Sequence, residues 1–115
     1  MHDQPAPRTR TTRLDQVFLI ELNGETDFDD TAELDAAWAA ADEAALPTTA
    51  IDLSGVAFAD SMLLNSLLGA LARHQATGRE LILLGPLPDG VRRLLSLSGT
   101  LEHFTVADTG PSQDS

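Results

Sequence analysis

Cysteine is absent from this chain, which removes disulfides, thiolate nucleophiles and zinc–sulfur sites together. Lysine is absent too, and all seven cations are arginine. A glycine-rich phosphate loop of the kind that ends in lysine is therefore excluded. Positive charge is sparse: eighteen acids against seven arginines leave a formal net charge of −11. Arg8, Arg10, Arg13 and Arg79 are scattered, and only Arg92 and Arg93 are adjacent. Neither a nucleic-acid footprint nor a polybasic membrane patch is present, because both need clustered cations. An apolar leader and a bilayer-length run are also missing, so the expectation is a cytoplasmic protein. The residues Ala, Leu, Asp and Arg are abundant, a composition that suits a GC-rich bacterial genome.

Catalytic arrangements are missing as well. His2, His74 and His103 are isolated from other ligand types at helical spacing, so each is read as solvated or structural. No nucleophile elbow surrounds Ser54, Ser61 or Ser66, and none of them has a neighbouring histidine base. Glu25, Asp27, Asp52 and Asp60 fall at or beyond expected strand ends, where α/β sheets place ligands. With eighteen acids in the chain, however, some reach loops by chance. The inventory assigns no catalytic residue, no cofactor and no metal.

What is present suffices for one packed domain of 115 residues, 43% of them hydrophobic. Residues 1–10 and 109–115 are polar and proline-bearing and are expected to be flexible tails around a core of 11–108. "VFLIEL" (17–22) reads as a strand closed by Asn23-Gly24, and "RTRTTRL" before it could pair as an edge strand through Asp15-Gln16. Asp29, Asp30 or Thr31 can cap a helix that buries Leu34, Trp38, Ala41 and Ala45 and stops before Pro47. "TAIDLSG" (49–55) is the next strand. A second helix opens at Ser61, gathers Leu64, Leu67, Leu68, Leu71 and Gln75 on one face, and closes at Gly78. "ELILLG" (80–85) is another buried strand. Pro88 starts a short third helix ending near Gly99, and "HFTVAD" (103–108) is a last short strand. Strands alternating with helices predict an α/β fold with a mainly parallel sheet of four to five strands and three to four helices.

Ser61 stands where the chain turns from "VAFAD" into the leucine-rich helix. Helix capping alone could explain it, at about 1 kcal/mol lost on Ser61→Ala. The face opposite the leucines carries Met62, Asn65, Ser66, Gly69 and Arg73. Small neutral residues beside an outward methionine suit a docking surface, since methionine packs adaptably against a partner. Met62 tucked against a neighbouring loop is the competing reading.

"LNGETDFDDTAEL" (22–34), "AIDLSGVAFADSMLL" (50–64) and "VRRLLSLSGTLEHF" (91–104) resemble the three sequence blocks of STAS domains, and their order most resembles the anti-sigma factor antagonists of bacteria. The resemblance covers nearly the whole core. It implies a small STAS-type regulator, not an enzyme, that binds an anti-sigma factor with ATP-dependent serine kinase activity. Unphosphorylated, such a protein captures the kinase and frees the sigma factor. Phosphorylation abolishes capture, and a serine phosphatase reverses it. By motif position the phosphoacceptor is Ser61, preceded by Asp60, with Asp27 and Glu25 of the GE-x-D turn near the partner surface. Met62, Asn65, Ser66 and Gly69 would complete that surface. Members commonly continue the Asp-Ser with a small residue and glycine; here Met62-Leu63 follow, and Asn65 replaces a frequent second glycine. The departure bears on partner choice, because glycine lets a partner's backbone come close. Two other readings stand beside this one. The first is a non-phosphorylated STAS scaffold or ligand-sensing subunit of a regulatory or transport complex. The second is a receiver-like domain phosphorylated on Asp52 or Asp60, for which the lysine expected beside an acyl phosphate is missing.

Overall fold

A computed structural model describes residues 9–24, 32–56 and 61–108. Glu25, Asp27, Asp60, the candidate cap at residues 29–31 and most of both tails lie outside the described residues. Residues 9 and 10, expected in the N-terminal tail, begin the first strand instead.

Strands β1 (Thr9–Leu14) and β2 (Val17–Gly24) form an antiparallel hairpin. Its turn is the expected Asp15-Gln16, and Asp15 takes the left-handed φ of 55° that aspartate tolerates in tight turns. There follow α1 (Ala32–Ala44), β3 (Thr48–Val56), α2 (Ser61–Ala76), β4 (Glu80–Gly85), α3 (Asp89–Leu97), a 3-10 turn (Leu101–His103) and β5 (Thr105–Asp108). The final strand is shorter than its apolar pattern implied. Amides of His103 and Phe104 close the 3-10 turn on Thr100 and Leu101, and Phe104 is drawn into the core. The five strands lie side by side in chain order, with β2 to β5 parallel.

Strands added in chain order through crossovers of one hand leave every helix on the same side of the sheet. Alternation along the strands agrees. Phe18, Ile20 and Leu22 are buried while Val17, Leu19 and Glu21 between them stay partly exposed, and Leu81 and Leu83 alternate likewise with Ile82 and Leu84. The core sits between that covered face and the inner sides of α1, α2 and α3.

The helices bury somewhat different residues from those the periodicity suggested. Leu34, Trp38 and Ala41 are buried as expected, but Ala45 is exposed. The helix has ended at Ala44, and Ala45 turns the chain at a φ of 53° just before Pro47. In α2 the buried line is Leu63, Leu67, Ala70 and His74. Leu64, Leu68 and Leu71 flank it half-buried, and Gln75 is exposed. Apolar side chains at 63, 64, 67, 68 and 71 make a stripe wide enough for either rotation. The buried line is the one that carries His74, whose ring finds two buried partners. Gly78 and Gly99 close α2 and α3 as predicted, each at a positive φ (70° and 75°). In both, the next amide reaches back to a carbonyl of the last turn, Arg79 to His74 and Thr100 to Leu95.

One carboxylate ties three elements together. Asp42 of α1 accepts from Arg73 Nε of α2 at 3.0 Å and from Arg79 Nη2, just before β4, at 2.5 Å. Arg79 also caps the end of α1 through the Ala41 carbonyl at 3.1 Å. Partial burial pushes the Asp42 carboxyl up, but the two arginines together outweigh it and hold the group below its ordinary value. Asp42→Ala should therefore cost about 1–2 kcal/mol in urea unfolding, because it strands a largely buried guanidinium. The part due to charge is present above the ordinary aspartate range. It is lost only as pH falls through the lowered value.

Candidate functional site

Ser61 is the first residue of α2 and is exposed. The helix thus opens where the sequence indicated, with Ser61 already helical rather than outside the first turn. No hydrogen bond from its hydroxyl is found among the described residues, so capping does not account for it there. Its neighbours separate sharply. Met62 is 47% exposed, whereas Leu63 is fully buried. Leucine in place of the usual glycine is therefore absorbed by the core, and of the Met62-Leu63 pair only Met62 alters the surface.

Asn65 is exposed, and Ser66 and Gly69 are half-buried on the same side of α2. These three and Met62 lie along an open groove of about 530 Å³ between α1 and α2, whose lining also includes Asp35, Trp38, Ala39, Asp42 and Arg73. The face of α2 opposite its buried line is thus one wall of a groove. Asp35, Trp38, Ala39 and Asp42 fall on one side of α1 at helical spacing. Helical periodicity marks the buried part of that stripe but carries no signal for which edge of α1 meets α2.

Trp38 holds the two walls together. Its indole Nε1 donates to Ser66 Oγ at 2.8 Å, although the ring itself is only 3% exposed. Its ring meets His74 edge-on, with centroids 6.4 Å apart. His74 is fully buried and hydrogen-bonds through both nitrogens: Nδ1 to the Ala70 carbonyl and Nε2 to Thr49 Oγ1, each at 2.7 Å. A carbonyl only accepts, so Nδ1 carries the proton and Nε2 accepts from the threonine hydroxyl. Burial lowers the affinity of this ring for a second proton. The Ala70 carbonyl and Asp42 oppose that shift and Arg79 and Arg73 assist it, leaving the imidazole neutral below its ordinary range. The histidine that looked isolated in sequence is a structural one.

Of the four acids singled out in the sequence, Asp52 alone lies among the described residues. Asp52 was placed at a strand end but lies inside β3, registered between Glu21 of β2 and Leu84 of β4. Strand β3 runs on to Val56, and the Asp52 carboxylate is occupied by the amide and hydroxyl of Ser54, at 2.9 and 2.6 Å. Among the described residues no cluster of three or more His, Cys, Asp or Glu side chains could hold a metal. Thr49 and His74 are the one hydroxyl–imidazole pair among them, and both are sealed in the core. Among the described residues, no helix is long and apolar enough to cross a membrane. The groove is open, and among the described residues that line it there is no paired nucleophile and base.

Solved structures share this fold. An anti-sigma factor antagonist from Mycobacterium paratuberculosis is 28% identical, with a TM-score of 0.71 over 92% of this chain and 86% of that one. The anti-sigma factor antagonist SpoIIAA in its unphosphorylated form is 22% identical, with a TM-score of 0.75 over 90% and 89%. The Bacillus cell fate determinant SpoIIAA in its phosphorylated form, also 22% identical, gives 0.71 over 90% and 92%. No curated protein sequence matches the chain. The family profile described as "Mlab, STAS domain" matches residues 9–105, and on that match the chain belongs to the STAS domain family.

Proposed function

We propose that this STAS domain is a bacterial anti-sigma factor antagonist that works in the cytoplasm by partner switching. In its unphosphorylated form it binds an anti-sigma factor that is also a serine kinase, and the sigma factor is released. Transfer of phosphate to Ser61 ends the binding, and a serine phosphatase restores it. The domain is a substrate in this cycle and carries out no chemistry itself.

The observation that carries this reading is the exposed Ser61 on the first turn of α2, at the head of a helix whose outer side lines an open groove. A phosphate there adds about −1.5 to −2 charges. The dipole of α2 favours an anion at its first turn, so folding is little affected. A partner that must desolvate the same surface meets a much larger penalty. In this reading Met62, Asn65, Ser66 and Gly69 contact the partner, with Glu25, Asp27 and Asp60 contributing acidity around the switch.

The test is to recover the protein with its bound partners from native cells during growth and stress, and to map its phosphates. The expected result is phosphate on Ser61, with a kinase-type anti-sigma factor co-purifying only with the unmodified form. Capture of the same partner with Ser61 unmodified in every condition would instead favour a constitutive scaffold.

A further inference from the structure

Gly69 stands in the interior of a sixteen-residue helix, where glycine disfavours the helix relative to alanine. Two reasons for glycine are absent here. Its φ is not positive, unlike those of Gly78 and Gly99. A Cβ built on it would find, among the described residues, only the tip of Arg73, Nη1 at 3.7 Å, which is ordinary van der Waals contact. The fold therefore has room for a side chain at 69 and gains nothing visible from its omission. What the glycine does provide is depth, because it lines the α1–α2 groove along with Trp38, Ala39 and Met62.

We infer that Gly69 forms a notch in the α1–α2 groove that receives one apolar side chain from a partner segment bearing positive charge. The apolar part follows from the lining of Trp38, Ala39, Met62 and Gly69. The charge follows from Asp35, an exposed groove acid with no ion pair found among the described residues, on a protein of net charge −11. Arg73 pairs with Asp42, about two helical turns further along α1 than Asp35, so its charge lies away from the Asp35 end of the groove. The inference rests on the proposed docking along α2 and adds that the contact extends onto α1. Ala39 is then a partner contact, and Gly69 a specificity determinant.

Two measurements on the full chain test it. The first is thermal unfolding of Gly69→Ala, expected to raise Tm by roughly 4 °C through helix propensity. A lowered Tm would mean that the fold itself needs the glycine, and the notch would be abandoned. The second is photo-crosslinking in native cells from a benzophenone-bearing residue placed separately at Ala39 and at Asn65, with the crosslinked peptides sequenced. The inference expects both positions to mark one partner segment containing an apolar residue beside Arg or Lys. It also expects Gly69→Leu to reduce the Ala39 crosslink at least tenfold. Crosslinks from Asn65 alone would overturn the groove while leaving docking on α2 intact. An Ala39 crosslink to an acidic segment, or one that survives Gly69→Leu, would overturn the notch. Silence at both positions would remove the docking reading together with it.

Discussion

Replacing His74 with alanine should cost about 3–5 kcal/mol of folding stability, much of what a domain of this size possesses. Two losses add. The ring is fully buried, so its removal leaves a cavity beside Trp38. Thr49, also fully buried, loses the acceptor for its hydroxyl. Denaturant unfolding measures the sum, and a double variant separates the parts. Thr49→Val with His74→Leu removes both polar groups and fills most of the space, so it should recover most of the loss. If the double variant were as unstable as His74→Ala, polar satisfaction would not be what the histidine supplies.

The same residue sets an acid limit. The folded ring binds its second proton below the ordinary histidine value, so the unfolded chain holds more protons in the interval between the two. Stability rises with pH where the unfolded state is the more protonated. This contribution is therefore complete above about pH 6.5, declines as pH falls below it, and levels off once the folded ring also protonates. One proton bounds the slope at about 1.4 kcal/mol per pH unit. Unfolding from pH 7 to 4.5 should show the decline in wild type. In the Thr49→Val/His74→Leu double variant that component should be gone. An unchanged slope there would locate the acid sensitivity in other groups.

A negative charge at Ser61 should lower affinity for the proposed anti-sigma factor partner at least about 100-fold, the scale of a like-charge contact in a desolvated interface. Tm should shift by no more than about 2 °C, because the first turn of α2 accommodates an anion. Ser61→Asp and enzymatically phosphorylated protein provide two versions of the charge. Ser61→Ala should bind within about threefold of wild type and become indifferent to ATP. Calorimetric titration against the partner, paired with a melting curve for each variant, reads both effects. A Ser61→Asp protein that bound as well as wild type would leave Ser61 as an ordinary surface serine and direct attention to the scaffold alternative.

The order of strands and helices was legible in the sequence because each depends on neighbouring residues alone. Gly78 and Gly99 sit where the chain must turn left-handed, Pro47 stands where α1 has to have stopped, and short β-branched runs alternate with alanine- and leucine-rich helices. Ser61 at the mouth of α2, and the outward side of Met62 and Asn65, follow from the same local rules. What the chain could not reveal was rotation and neighbourhood. A leucine stripe as broad as that of α2 permits several buried centres, and packing against β4 and α3 selected Leu63, Leu67, Ala70 and His74. Asp52 lies inside β3 rather than at its end because pairing with β2 carries the strand on to Val56, whereas the register with β4 stops at Asp52 itself. The groove belongs wholly to tertiary structure: residues 35–42 and 62–73 become its two walls only when α1 and α2 settle side by side on one face of the sheet, with Trp38 bonded across to Ser66. Local sequence set which segments become helix, strand or turn, since those preferences act within a few residues. Only the packed sheet decided which sides of two distant helices would face each other.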